Sequence, residues 1–150
     1  MRRIEGEIVI RRTAKALVAV DAFAAVTAVG GGIALATGLE EDRFPATWLM
    51  GTPFRSYRVP GLLLAGLVGG GAACAAASTL RSPTTGGRAS LLAGAVLMCW
   101  IGGETRLLKQ PAYGTWTERF FFAVGLLMAV LGLRVRRAGG RCRRSAGSLQ

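Results

Sequence analysis

The sequence predicts an all-α membrane protein: four transmembrane helices in a compact antiparallel bundle, both termini cytoplasmic, with a structured outer loop between the first and second spans. Three observations lead there. Half of the residues are hydrophobic, and they gather into long runs at 14–37, 61–80, 89–103 and 120–135. Basic residues collect on one side of those runs. Residues 48–64, WLMGTPFRSYRVPGLLL, set an indole, further interfacial residues and two prolines directly before an uncharged apolar run.

Segment length separates a membrane bundle from a soluble domain. A helix rising ~1.5 Å per residue needs about 20 apolar residues to cross ~30 Å of hydrocarbon. Residues 61–80 meet this with nothing more polar than Cys74, Ser78 and Thr79, and residues 14–37 meet it except for Lys15 and Asp21. The third and fourth runs are shorter and must borrow flanking residues. The uncharged part of the fourth, residues 120–133, covers only about 21 Å. That helix should therefore begin earlier, near Tyr113, which brings Glu118 and Arg119 close to the outer interface, unless the bilayer thins.

The formal charge of +11 would suggest nucleic acid in a soluble chain. Its distribution argues otherwise. Arg2, Arg3, Arg11, Arg12 and Lys15 precede the first span, Arg81 and Arg88 separate the second and third, and Arg134, Arg136, Arg137, Arg141, Arg143 and Arg144 follow the fourth. The other side holds Arg43, Arg55, Arg58, Arg106, Lys109 and Arg119, set against Glu40, Glu41, Asp42, Glu104 and Glu118. The positive-inside rule then puts both termini in the cytoplasm. The basic tails suit anionic lipid headgroups, so the expected partners are the bilayer and a second copy or another membrane protein, with no nucleic acid.

In chain order, residues 1–13 form a basic cytoplasmic start that a short amphipathic helix could occupy. A basic start, an apolar run and Ala34-Leu35-Ala36 also resemble a signal peptide. The run is longer than a signal core and contains Asp21, which favours a retained span. Within it Ala24, Ala28, Gly32 and Ala36 recur every fourth residue, and the second span shows Gly66, Gly70 and Cys74, with Gly71, Ala75 and Leu80 nearby. Small residues at this spacing let helices approach closely, so the first two spans should pack tightly. Gly94, Gly125 and Gly132 offer thinner versions of the same face. Residues 38–60 are the first outer loop, and 81–88 are a cytoplasmic turn carrying Ser82-Pro83 and Gly86-Gly87. Residues 104–119 form the second outer loop, and 136–150 read as a disordered basic tail.

Chemistry-bearing residues are few. Asp21 is the ionisable group inside a span, which marks it as functional or as an internal tie, and Ser78, Ser90 and Arg134 are its candidate partners at that depth. Its helical face should turn toward the second span. Glu104 ends the third span, where the helix dipole disfavours an acid. A pairing with Arg55, Arg58 or Arg106 would offset that and pin the outer loop over the bundle. Tyr57 completes the polar group there. The Glu40-Glu41-Asp42 run suits a solvated turn better than a cation site. The glycine triplets at 30–32 and 69–71 lack the Lys-Ser/Thr of a phosphate loop and mark close packing or a kink. Trp48, Trp100, Trp116, Tyr57 and Tyr113 read as an interfacial belt. The chain has no histidine, which removes the commonest haem and zinc ligand. Cys74, Cys99 and Cys142 are too scattered to suggest a pair and are expected as free thiols. No cofactor, metal or catalytic constellation is expected.

Taken together, GGGIAL from Gly30, the segment from Trp48, a glycine-rich second span and WIGGE ending at Glu104 resemble a group of small bacterial four-helix membrane proteins of no assigned activity. The resemblance covers residues 30–104. Its specific part is a G-x-P-F-x-x-Y-x-x-P-G loop, here Gly51, Pro53, Phe54, Tyr57, Pro60 and Gly61, preceded by Trp48. It implies the topology and a multi-pass place in the bacterial cytoplasmic membrane. The acidic run and the arginine-rich tail are features of this chain. The expected role is structural or interactive; the alternative is a small proton- or ion-coupled transporter or channel subunit using Asp21.

Overall fold

The computed structural model describes residues 2–39, 44–107 and 116–147. They form four helical rods and, among the described residues, no strand. Helix α1 (Arg2–Thr37) is 36 residues, about 54 Å at 1.5 Å per residue. It absorbs the basic start into one continuous helix. The second rod has three parts, α2 (Arg58–Leu63), a π-helical segment (Leu64–Gly69) and α3 (Gly70–Arg81). Helices α4 (Pro83–Leu107) and α5 (Trp116–Gly147) complete the bundle. Three helices, over Ile8–Thr37, Arg58–Arg81 and Pro83–Arg106, are long and apolar enough to cross a membrane.

The ends of the rods follow from local chemistry. Gly38, at φ 79°, stops α1. Its N–H bonds to Leu35 O and the Leu39 N–H to Ala34 O, which satisfies two of the last carbonyls of the helix. Pro60 sits in the first turn of α2, where a missing N–H costs no helical bond, so the rod begins ahead of the expected residue 61. The expected turn at 81–88 reduces to Ser82. That residue is extended (φ −151°, ψ 109°), as one before proline should be, and Pro83 takes the first position of α4. Gly86 and Gly87 therefore lie within a helix. A Cβ on Gly86 would strike Thr79, so glycine here closes the α3–α4 hairpin. At the other terminus α5 runs on to Gly147 where a disordered tail was expected from residue 136. Arginine and alanine are good helix formers and flank Gly139 and Gly140 on both sides.

Small residues lie inside and large ones outside. The core is built mainly from Ala24, Ala25, Ala28, Ala72, Ala75 and Ala93, joined by Val68, Leu97, Val124 and Met128. Val26 is 73% exposed and Leu92 67%, with Leu62, Leu67 and Leu126 also on the outside. A soluble bundle would reverse this arrangement. In lipid, where helices gain nothing by hiding leucine, close backbone approach is what drives association.

Glycine pairs make that approach. A Cβ on Gly32 would lie 2.5 Å from Gly61 O, and one on Gly61 equally close to Gly32 O. Gly94 faces Gly125 O at 2.5 Å and Gly87 faces Gly132 O at 2.7 Å. The α4–α5 seam thus holds two such pairs, and the expectation that it would be the thinner contact is corrected. The face expected on the second span is also displaced. Gly66, Gly70 and Gly71 have open space beside them and Cys74 and Leu80 are exposed, while Ala75, expected on this face, is buried as expected, and Gly61, Val68, Gly69 and Ala72 face the bundle with it. The π-helical turn has more residues per turn than an α-helix and rephases the face.

Antiparallel connection brings the basic start of α1, the Ser82 hairpin and the basic end of α5 to one end of the bundle, and the 44–57 loop with Glu104 and Glu118 to the other. Gly32→Ala should lower the melting temperature of the purified protein in detergent by several degrees, corresponding to about 1–3 kcal/mol of overpacking. Gly66→Ala, with no atom within 4 Å of the new methyl, should leave it unchanged or raise it. Equal effects would refute the seam.

Candidate functional site

Two polar features lie on the bundle interior. The first is Asp21. It is fully buried and accepts a hydrogen bond from Ser90 Oγ at 2.5 Å, joining α1 to α4 across the bundle. Of the three partners expected, Ser90 is the one in place; Ser78 is half-buried and Arg134 exposed. The carboxyl turns inward as expected, but its contact is with α4 and not with the second rod. Leu17, Met128 and Val135 are fully buried as well. The second carboxyl oxygen, Oδ1, is buried without a partner.

The second feature is the outer end. The 44–57 loop is folded tightly there. Met50 (φ −62°, ψ 118°) and Gly51 (φ 95°) form a type II turn closed by Thr52 N–H to Leu49 O at 2.9 Å, and this turn requires a positive φ at Gly51. Thr52 Oγ1 also donates to Leu49 O at 2.8 Å and accepts from Phe54 N–H at 3.3 Å. Leu49 is buried beneath the loop. Phe44 packs edge-on to Trp48 and tilted against Tyr57, with centroids 6.1 Å apart in both pairs. The Tyr57 hydroxyl reaches back to Pro45 O at a long 3.4 Å. Burial first, and the Glu104 carboxylate second, push that hydroxyl above its usual pKa.

Beneath the loop is a cavity of about 480 Å³. Its floor is made by Ala24, Ala28 and Leu97 of the core, its sides by α1, α2, α4 and the start of α5. Of the loop motif, Trp48, Phe54, Tyr57 and Pro60 line it, Gly61 is the buried contact to Gly32, and Gly51 and Pro53 are exposed turn positions. Glu104 and Glu118 both line the cavity and interact electrostatically. Glu118 Oε2 is buried with no hydrogen bond. The Trp100 indole nitrogen lies beside Glu104 yet closes no hydrogen bond.

The expected pairing of Glu104 with an arginine is not formed among the described residues. Arg55, Arg58 and Arg106 are exposed and absent from the cavity lining. Long cationic side chains extend their heads to water, while Glu104, one turn beyond Trp100, points inward. The belt reading of the aromatics also changes. Trp48, Tyr57 and Trp100 turn toward the cavity, whereas Trp116 is exposed, and Tyr113 lies outside the described residues. Glu118, read from sequence as an interfacial charge, is a cavity residue because α5 begins at Trp116 and takes it into its first turn, where an acid suits the helix dipole. Nothing in the pattern around it, T-E-R-F, signalled that inward turn. The Glu40–Asp42 run lies outside the described residues, and among the described residues no three His, Cys, Asp or Glu come together. Cys74 and Cys99 are free thiols, and Cys99 borders the cavity.

No protein family, curated protein or solved structure matches this chain. The site must therefore be read from its own geometry.

Ser90→Ala would leave both carboxyl oxygens of Asp21 buried without a partner, a loss of about 1–3 kcal/mol. In detergent it should lower the melting temperature by several degrees. Asp21→Asn, which keeps an acceptor oxygen for Ser90, should lower it less. The reverse order would show that the Ser90 contact does not hold α1 to α4.

Proposed function

We propose that the chain is a four-span protein of the bacterial cytoplasmic membrane, with both termini inside and a structural or interaction role exercised at its outer end. The supporting observation is the loop-covered cavity lined by Glu104 and Glu118, the latter with a buried oxygen that has no hydrogen-bond partner, set at the end of the bundle away from the basic clusters. Helix α5 is the fourth span; the stretch from Trp116 to Arg134 rises about 27 Å, close to the ~30 Å core. The arginine-rich inner end meets anionic headgroups.

Asp21 favours a structural tie over a conducting site. It is sealed by Ser90 and is absent from the cavity wall. The alternative, a proton- or ion-coupled transporter or channel subunit, is favoured by the unpartnered Oδ1.

Alkaline phosphatase fused after residue 51 should be active and green fluorescent protein at the C-terminus should fluoresce. Inactive phosphatase at that site would overturn the orientation. In proteoliposomes, Asp21→Asn should leave proton flux at the level of the wild type and of empty vesicles. Flux above that level in the wild type, lost in the variant, would establish the transporter instead.

A further inference from the structure

The outer cavity has walls that select a ligand class. Its volume, about 480 Å³, falls in the range of pockets that enclose drug-sized molecules, about 300–1,000 Å³. Most of the wall is apolar, and six aromatic side chains contribute: Phe44, Trp48, Phe54, Tyr57, Trp100 and Phe121. Into this wall are set two carboxyl groups, Glu104 and Glu118, with no lysine or arginine among the described lining residues. The buried Oε2 of Glu118 has no hydrogen-bond donor. Glu104 lies in the last turn of α4, where the carbonyl ends of the helix add further negative potential.

Each of these elements attracts positive charge. Aromatic faces carry the negative part of the ring quadrupole and hold cations, best when desolvated. Unpaired acids in a low-dielectric wall are costly unless a counter-charge arrives. A small hydrated metal ion would satisfy the acids but leave the apolar wall unfilled. A phospholipid headgroup would bring a phosphate against two carboxylates.

We propose that this cavity binds an organic cation with a bulky apolar body, such as a quaternary ammonium or arylphosphonium ion, between its aromatic walls and Glu104 and Glu118. The proposal rests on the reading that the outer end is where the protein meets its partner, and it names the ligand class of that same site.

Tetraphenylphosphonium and tetraphenylborate share a shape and differ in charge, so the wild-type protein purified in detergent can test the idea without a variant. Equilibrium dialysis should show saturable binding of the phosphonium and affinity at least about tenfold weaker for the borate. With Cys74→Ser and Cys142→Ser leaving Cys99 as the single thiol, the phosphonium should slow maleimide labelling of Cys99 and the borate should not. Glu104→Gln and Glu118→Gln should each weaken phosphonium binding by about tenfold or more at an unchanged melting temperature. Dodecylphosphocholine, a zwitterion with a choline head, should not compete. Equal binding of the two tetraphenyl ions, unchanged affinity in folded Gln variants, or competition by the phosphocholine would each overturn the proposal. The fusion reporters that place residue 51 do not depend on this binding, so their result stands or falls separately.

Discussion

Backbone contact at glycine is the constraint on which this structure depends. The rods have little else to hold them, since their cores are largely alanine and their leucines face outward. Gly32 against Gly61 ties α1 to α2, and Gly87 against Gly132 and Gly94 against Gly125 tie α4 to α5. These seams produce two antiparallel pairs, and α3 against α4 and α1 against α5 close them into a ring. Phe23 of α1 stacks on Phe121 and meets Phe120 edge-on, at centroid distances of 6.4 and 6.1 Å. The cavity is a consequence of this arrangement. Gly87 meets Gly132 toward the inner end, whereas a Cβ added at Gly102 or Gly103 near the outer end would meet nothing within 4 Å. The 44–57 loop covers that cavity at the outer end.

Polar groups divide along the same axis. Asp21 and Ser90 meet in the buried interior, where their bond joins α1 to α4. Glu104 and Glu118 meet where packing gives way, and have no base to pair with among the described residues. Three acids in one interior thus differ in consequence because one has a donor on the facing helix and the other two line a cavity. Residue type alone would rank all three as equivalent.

Much of the fold was legible because its signals are one-dimensional. Apolar length marked the rods, and the single-sided distribution of arginine matched the ends that antiparallel packing brings together. Asp21 announced itself as a charge within a span, and Ser90 was within reach by depth. What escaped depended on phase. The π-helical segment shifts the inner face of the second rod from Gly66 and Gly70 to Val68 and Gly69, and no residue pattern marked it. The arginines beside Glu104 in sequence turned out to point to solvent, since charge complementarity along a chain says nothing about which way each side chain faces. Glu118 was hidden because the start of α5, and with it the direction of that carboxyl, depends on how the rods pack. Within the loop motif, by contrast, Gly51 has a definite cause in its type II turn, and Pro60 in the free N–H positions of a first helical turn.

The hinge at Ser82 bears on how such a chain reaches its place. A single residue joins α3 to α4, so these two segments have no slack with which to enter a bilayer independently. The two helices are therefore held side by side by the chain itself, and the close approach of Gly86 to Thr79 is set by that connection as much as by packing.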